Sequence, residues 1–225
     1  MCGRFTLHHS TAEIAQRFAV QQVMFDFPPR YNIAPSQPVA VITQNGVRAL
    51  ESHKWGLVPF WAKDPNIGNR LINARAETLA EKPAFKNALT RRRCLIPADG
   101  FYEWKKAGKV STPLRVRMGG DALFALAGLW EEWNAPDGSP LRTCTIITTT
   151  PNELMASIHN RMPAILQAED EATWLDPGLK DVPTILSLLH PYPDGALEAH
   201  VVSRRVNAPA FDDESCIAAI EGDEE

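Results

Sequence analysis

A cysteine directly behind an initiator methionine, Cys2 in MCGRF, can present two nucleophiles at once. Excision of Met1, expected when a small residue follows it, frees the α-amine beside the thiol. With ordinary pKa values of about 8 and about 8.5, both groups keep a nucleophilic population near neutrality. A 1,2-aminothiol condenses with an aldehyde through its amine and closes a five-membered thiazolidine through its sulfur. An aldehyde substrate would be trapped covalently. The plain alternative is a small buried thiol, a common fate of free cysteine.

Other polar residues stand where packing does not ask for them. Asn73 and Arg75 interrupt the apolar run of LINARAET, where the Asn either caps a following helix or serves a site. Glu103 is flanked by Phe101, Tyr102 and Trp104. On an alternating strand it would face solvent, whereas burial among the aromatics would raise its pKa into an acid/base range. His159 in SIHNRMP precedes Arg161 and Pro163, at the end of an expected helix. The remaining histidines show no ligand spacing: His8 and His9 are adjacent and so expected to diverge, and His53, His190 and His200 are isolated. No metal or cofactor is expected. Cys94 and Cys144 lie in apolar strand-like runs and read as inert, and no CxxC pair suggests a zinc or redox motif.

The 225 residues fit one substantial domain, and the absence of a long apolar run argues against a membrane span. With no signal peptide, a reducing cytoplasm is expected. The net charge of −4 hides a division: residues 1–163 carry 20 Lys and Arg against 13 Asp and Glu, while residues 164–225 carry 3 against 14. Such a chain can offer phosphates a basic face while the acidic part covers the back. WGLVPFWAK mixes Trp55, Phe60 and Trp61 with Lys54 and Lys63, as single-stranded nucleic acid would require, although Trp55 also reads as core. Arg91, Arg92 and Arg93 read as a solvated helix end.

These residues need a scaffold. STAEIAQRFAV reads as a helix capped by Ser10 or Thr11, with Glu13 in its first turn. PPRYNIAPSQP reads as a Pro-rich loop, and Asn45-Gly46 as the turn of a hairpin. AETLAEKPAFKNALTRR looks helical after a break at Pro83. CLIPADGFYEWKK is a strand turning at Asp99-Gly100, and further strands flank Gly119-Gly120-Asp121. RTCTIITTT and LEAHVVS are strands; PNELMASIHN and EDEATWLD are short helices. The pattern predicts an α+β single domain, residues 1–225, with an antiparallel-rich β core, barrel- or sandwich-like, short peripheral helices and an acidic C-terminal tail from about residue 215.

Taken jointly, CGRF at 2–5, RYNIAP at 30–35, WGLVPFW at 55–61, INARAET at 72–78, PADGFYEW at 97–104 and IHNRMP at 158–163 resemble the motifs of the SOS response-associated peptidase family, the abasic-site-processing proteins. The resemblance implies a covalent crosslink between Cys2 and an abasic site in single-stranded DNA, shielding the lesion. Asn73 would hold the sugar and the Cys2 backbone in register, while Glu103 and His159 would move protons. Arg4, Arg75 and Arg161 would contact phosphates, Phe60-Trp61 would act as a wedge for a neighbouring base, and Asn32, Pro35 and Thr148 would line the groove. Some members carry Trp-Trp where this chain has Phe60-Trp61. The implied protein is a monomer without cofactor, with lyase and self-processing side activities. Two other readings remain open: a cysteine peptidase or amidase using Cys2 and His159, and a non-catalytic single-strand binder.

Overall fold

The computed structural model describes residues 2–220 in two sheets with short helices around them. The larger sheet holds β2 (Gln22–Val23), β4 (Pro38–Asn45), β5 (Val47–Trp55), β6 (Asn73–Arg75), β7 (Arg93–Ala98), β10 (Phe124–Asn134), β11 (Pro140–Thr149), β12 (Met162–Pro163) and β13 (Ile165–Leu166). The smaller holds β1 (Phe5–Leu7), β3 (Arg30–Ile33), β8 (Gly100–Ala107), β9 (Val110–Met118) and β14 (Leu197–Val201), in the order β14-β9-β8-β1-β3. Within the larger sheet β11, β10, β7, β4 and β5 are antiparallel neighbours, and β5 then meets β11 in parallel through Lys54 opposite Thr143 and Trp55 opposite Cys144. Five strands thereby close into a ring, and closure pairs ladder groups that an open edge would leave exposed. The expected antiparallel-rich α+β architecture is the one observed.

Local signals account for much of this. Helix α1 (Thr11–Arg17) begins with a reciprocal capping box between Ser10 and Glu13. Gly46, at φ 81°, makes the tight turn from β4 to β5. Helices α2 (Lys86–Arg91), α3 (Glu153–Ala156), α4 (Glu171–Leu175) and α5 (Val182–Ser187) are all short, and α2 follows Pro83 as expected. Cys94 and Cys144 are wholly buried in the ring, and burial pushes both thiols up. No helix among the described residues is long and apolar enough to cross a membrane.

Three local expectations fail, each because a distant partner overrides local pattern. The Pro-rich segment contains β3, because the prolines bracket Arg30–Ile33 without entering it, so that Arg30 and Ile33 pair with β1 while the Tyr31 and Asn32 amides donate to Asp212 Oδ1. Arg93 is not solvated: it is 6% exposed, and its guanidinium donates to the carbonyls of Trp174 (2.6 Å), Leu89 (2.7 Å), Asp176 (2.6 Å) and Leu179 (3.1 Å). Residues 215–220 are not a solvated tail, since Cys216 is fully buried, Ala219 bridges to Val202, and Ile220 N–H donates to Val201. The acidic residues 221–225 lie outside the described residues.

Candidate active site and nucleic-acid interface

Strand β1 pairs antiparallel with β8, Phe5 opposite Phe101 and Thr6 opposite Gly100. Tyr102 N–H donates to Arg4 O at 2.9 Å, so the ladder continues toward the N-terminus and sets Gly3 and Cys2 beside Glu103. Cys2 is fully buried, its Sγ 3.9 Å from Arg4 O. Burial, reinforced by the Glu103 carboxylate, pushes the Cys2 thiol up to about 12, so the sulfur is held as a neutral thiol at physiological pH. Glu103, which could have faced solvent, is 2% exposed.

Asn73 opens β6, which runs parallel to β11 with Asn73 opposite Ile146 and Arg75 opposite Thr148. Its Nδ2 donates to the Cys2 carbonyl at 2.8 Å. The alternative of a helix cap is excluded: the following 3-10 turn, Ala76–Thr78, has no side-chain cap. Trp55, a core residue as expected, holds this junction from beneath. Its Nε1 donates to Ile72 O at 2.8 Å, and its ring meets Phe5 edge-on at 5.3 Å.

On the other side of β11, Thr148 stands opposite Pro163 of β12, which places Arg75, Thr148 and the His159–Arg161 segment along one edge. Arg161 N–H donates to His159 Nδ1 at 3.1 Å. The Arg161 guanidinium donates to both carboxylate oxygens of Glu77 (2.6 and 3.0 Å) and to Thr148 O (2.6 Å), and that hydrogen bonding lowers the Glu77 pKa. Thr148 is itself buried, its hydroxyl directed to Ala74 O. Arg75 is exposed, and so are the neighbouring aromatics Phe60 and Trp61, at 55% and 49%.

Two residues expected in the groove are spent inside the protein. Arg4 is 9% exposed, its Nη1 donating to Asn32 Oδ1 (2.6 Å) and Val206 O (2.5 Å). Asn32 is fully buried, and its Nδ2 donates to Phe211 O at 2.6 Å and to Val206 O and Ala208 O at 3.3 Å. Arg4 and Asn32 thus tie β1 and β3 to the 206–211 segment. Pro35 lies between β3 and β4 at the turn containing Ser36 (φ 69°), where it is half-buried.

A family described as SOS response associated peptidase (SRAP) matches residues 1–209. The chain belongs to the SRAP family. It is 50% identical over 213 residues to the abasic site processing protein YoqW of Bacillus subtilis, covering 93% of this chain and 95% of that one. It is 31% identical over 228 residues to the abasic site processing protein HMCES of Xenopus tropicalis, covering 86% of this chain and 67% of the other. A crystal structure of a Bacteroides thetaiotaomicron protein superposes with a TM-score of 0.88 at 28% identity, over 98% of this chain and all of that one.

Sequence reasoning missed the residue that anchors this SRAP site from behind. Asp99, read only as part of a turn, is fully buried at the corner where the chain leaves β7 in the ring and enters β8 in the smaller sheet. Thr6 Oγ1 donates to its Oδ1 at 2.5 Å and His8 N–H to its Oδ2 at 2.6 Å, while the buried Arg115 lies 3.3 Å from Oδ1. Contrary to the expected divergence, His8 and His9 both turn toward this carboxylate, because strand alternation ends at Leu7. The Asp-Gly pair advertised a turn; nothing local showed that its carboxylate would be enclosed.

Proposed function

We propose that this protein recognises abasic sites in single-stranded DNA and traps them through Cys2 once Met1 has been removed. The open form of an abasic deoxyribose carries an aldehyde at C1′. The Cys2 amine attacks C1′ and water leaves, giving an imine. The thiol sulfur then adds to C1′ while its proton passes to the imine nitrogen, closing a thiazolidine. The thiol gives up its proton as it adds, and the neighbouring Glu103 carboxylate is in position to relay it to the nitrogen. Asn73 fixes the Cys2 carbonyl so that amine and sulfur meet one carbon. Glu103 and His159 serve ring opening and water loss. Arg75 and Arg161 offer cations to the flanking phosphates, and Phe60-Trp61 a surface on which an unstacked base rests.

The observation that carries this reading is the hydrogen bond from Asn73 Nδ2 to the Cys2 carbonyl beside a buried Glu103. An imine at C1′ also permits β-elimination of the 3′ phosphate, a lyase side reaction with which thiazolidine closure competes. The protein is read as a monomer.

The test is incubation with a single-stranded oligonucleotide carrying one abasic site, read by intact-protein mass spectrometry. The expected product is a stable adduct formed with loss of one water on the Met1-free chain. Equal yield of the same linkage from Cys2→Ala would refute the reading. Salt-dependent binding with no adduct would leave only a single-strand binder.

A further inference from the structure

The geometry points to a zinc-binding site formed by His8 Nδ1, His9 Nδ1 and the Asp99 carboxylate, behind the strand that carries Cys2. The three donor groups lie within 4.8 Å of one another. His8 Nδ1 is 3.0 Å from Oδ1 and His9 Nδ1 3.2 Å from Oδ2. Donor atoms on a tetrahedral zinc stand roughly 3.3 Å apart, given Zn–N and Zn–O bonds of about 2.0–2.2 Å. Each imidazole nitrogen approaches a different carboxylate oxygen at about that spacing, His8 at Oδ1 and His9 at Oδ2.

Part of this arrangement is hydrogen-bonded: His9 Nδ1 lies 3.2 Å from Oδ2, and the Asp99 carboxylate beside His8 raises its pKa. The carboxylate accepts from Thr6 Oγ1 and His8 N–H and faces Arg115, and of its roughly four lone-pair sites these leave one open toward the imidazoles. His8 Nδ1 is buried and, despite its 3.0 Å approach, makes no aligned hydrogen bond among the described residues. Lone pairs on imidazole nitrogen and carboxylate oxygen repel at this distance unless a proton or a cation lies between them. A cation shared by three lone pairs needs no N–H···O alignment.

Two neutral imidazoles and one carboxylate are a donor set that zinc accepts, with three protein ligands and one position left for water. Thr6 and Arg115 orient the carboxylate as outer partners usually do. The Arg115 cation opposes metal binding, and Asp121 Oδ1, 2.7 Å from its Nη1, offsets that charge. His8 and His9 are 21% and 22% exposed, which gives an ion a path from solvent. A bound ion would fasten the end of β1 to the β7–β8 corner, a structural role separate from the Cys2 chemistry.

The test uses Co2+, whose visible absorption reports coordination, in the full-length Cys2→Ala chain, so that the N-terminal aminothiol cannot bind metal. One equivalent of Co2+ is expected, displaced by Zn2+, with affinity falling by more than about tenfold in the added His9→Ala background and unchanged in His200→Ala. Zn2+ should raise the melting temperature of Cys2→Ala and leave Cys2→Ala/His9→Ala where it was. No Co2+ binding, or equal binding with and without His9, would overturn the site. With Cys2 intact, His9→Ala should still form the abasic adduct, so the two proposals fail independently.

Discussion

Replacing Asn32 by Ala separates a groove residue from an internal tie. The substitution removes the acceptor of the 2.6 Å bond from Arg4 Nη1 and the donor of the 2.6 Å bond to Phe211 O, with two weaker donations at 3.3 Å. Arg4 Nε already lacks a hydrogen-bond partner among the described residues, so the guanidinium has little in reserve. Loss of a bond to a charged group costs about 1.5–3 kcal/mol and loss of a neutral one about 1 kcal/mol, giving on the order of 3 kcal/mol. At roughly 2–4 °C per kcal/mol for a chain of this size, the melting temperature should fall by about 6–12 °C. Thermal and urea unfolding of Asn32→Ala should show that loss, and below the transition the abasic adduct should still form, more slowly because β1 is less firmly held. An unchanged melting temperature with weakened single-strand binding would refute the reasoning and return Asn32 to the groove.

Arg93→Met should destabilise by about 3 kcal/mol, because several buried carbonyls lose a charged donor, whereas Arg91→Ala should stay within about 0.5 kcal/mol; equal effects in urea unfolding would contradict the buried placement of Arg93. Gly100→Ala would set a Cβ 2.6 Å from Arg115 Nε and 2.8 Å from Thr6 Oγ1, so a loss of about 1–3 kcal/mol is expected, and a neutral result would mean that the Asp99 corner is loosely packed. Burial raises the thiols of Cys2, Cys94 and Cys144 above their ordinary value of 9.0. Above that pH the unfolded chain releases these protons while the folded chain keeps them, so their stabilising contribution, complete below pH 9.0, declines as pH rises. The urea midpoint should therefore drop between pH 8.5 and 10 by less in Cys94→Ala/Cys144→Ala than in wild type, and parallel curves would exclude these thiols as the cause. Alkylation of folded Cys2 by iodoacetamide should rise about tenfold per pH unit up to pH 10, and a curve that bends near pH 9 and levels toward pH 10 would show an accessible thiol of ordinary pKa.

The sequence alone determined what is local or chemical. The capping box at Ser10 and Glu13 and the turn at Asn45-Gly46 depend on neighbours a few residues away, so short-range pattern sufficed. The SRAP motifs named the family, and the aminothiol potential of Cys2 follows from its position alone. What the tertiary structure decided is which polar groups are enclosed. Glu103 and Asn73 each had a bland alternative, and only the β1–β8 pairing and the hydrogen bond to the Cys2 carbonyl brought them to one place. Arg93 looked like a surface group because cations usually are, and nothing local showed that Arg4, Asn32 and Arg93 each satisfy carbonyls contributed from far along the chain. His8, His9 and Asp99 converge because β1 ends where the chain turns a corner between sheets some ninety residues later. Burial of a polar group depends on partners distant in sequence, and no local pattern encodes them.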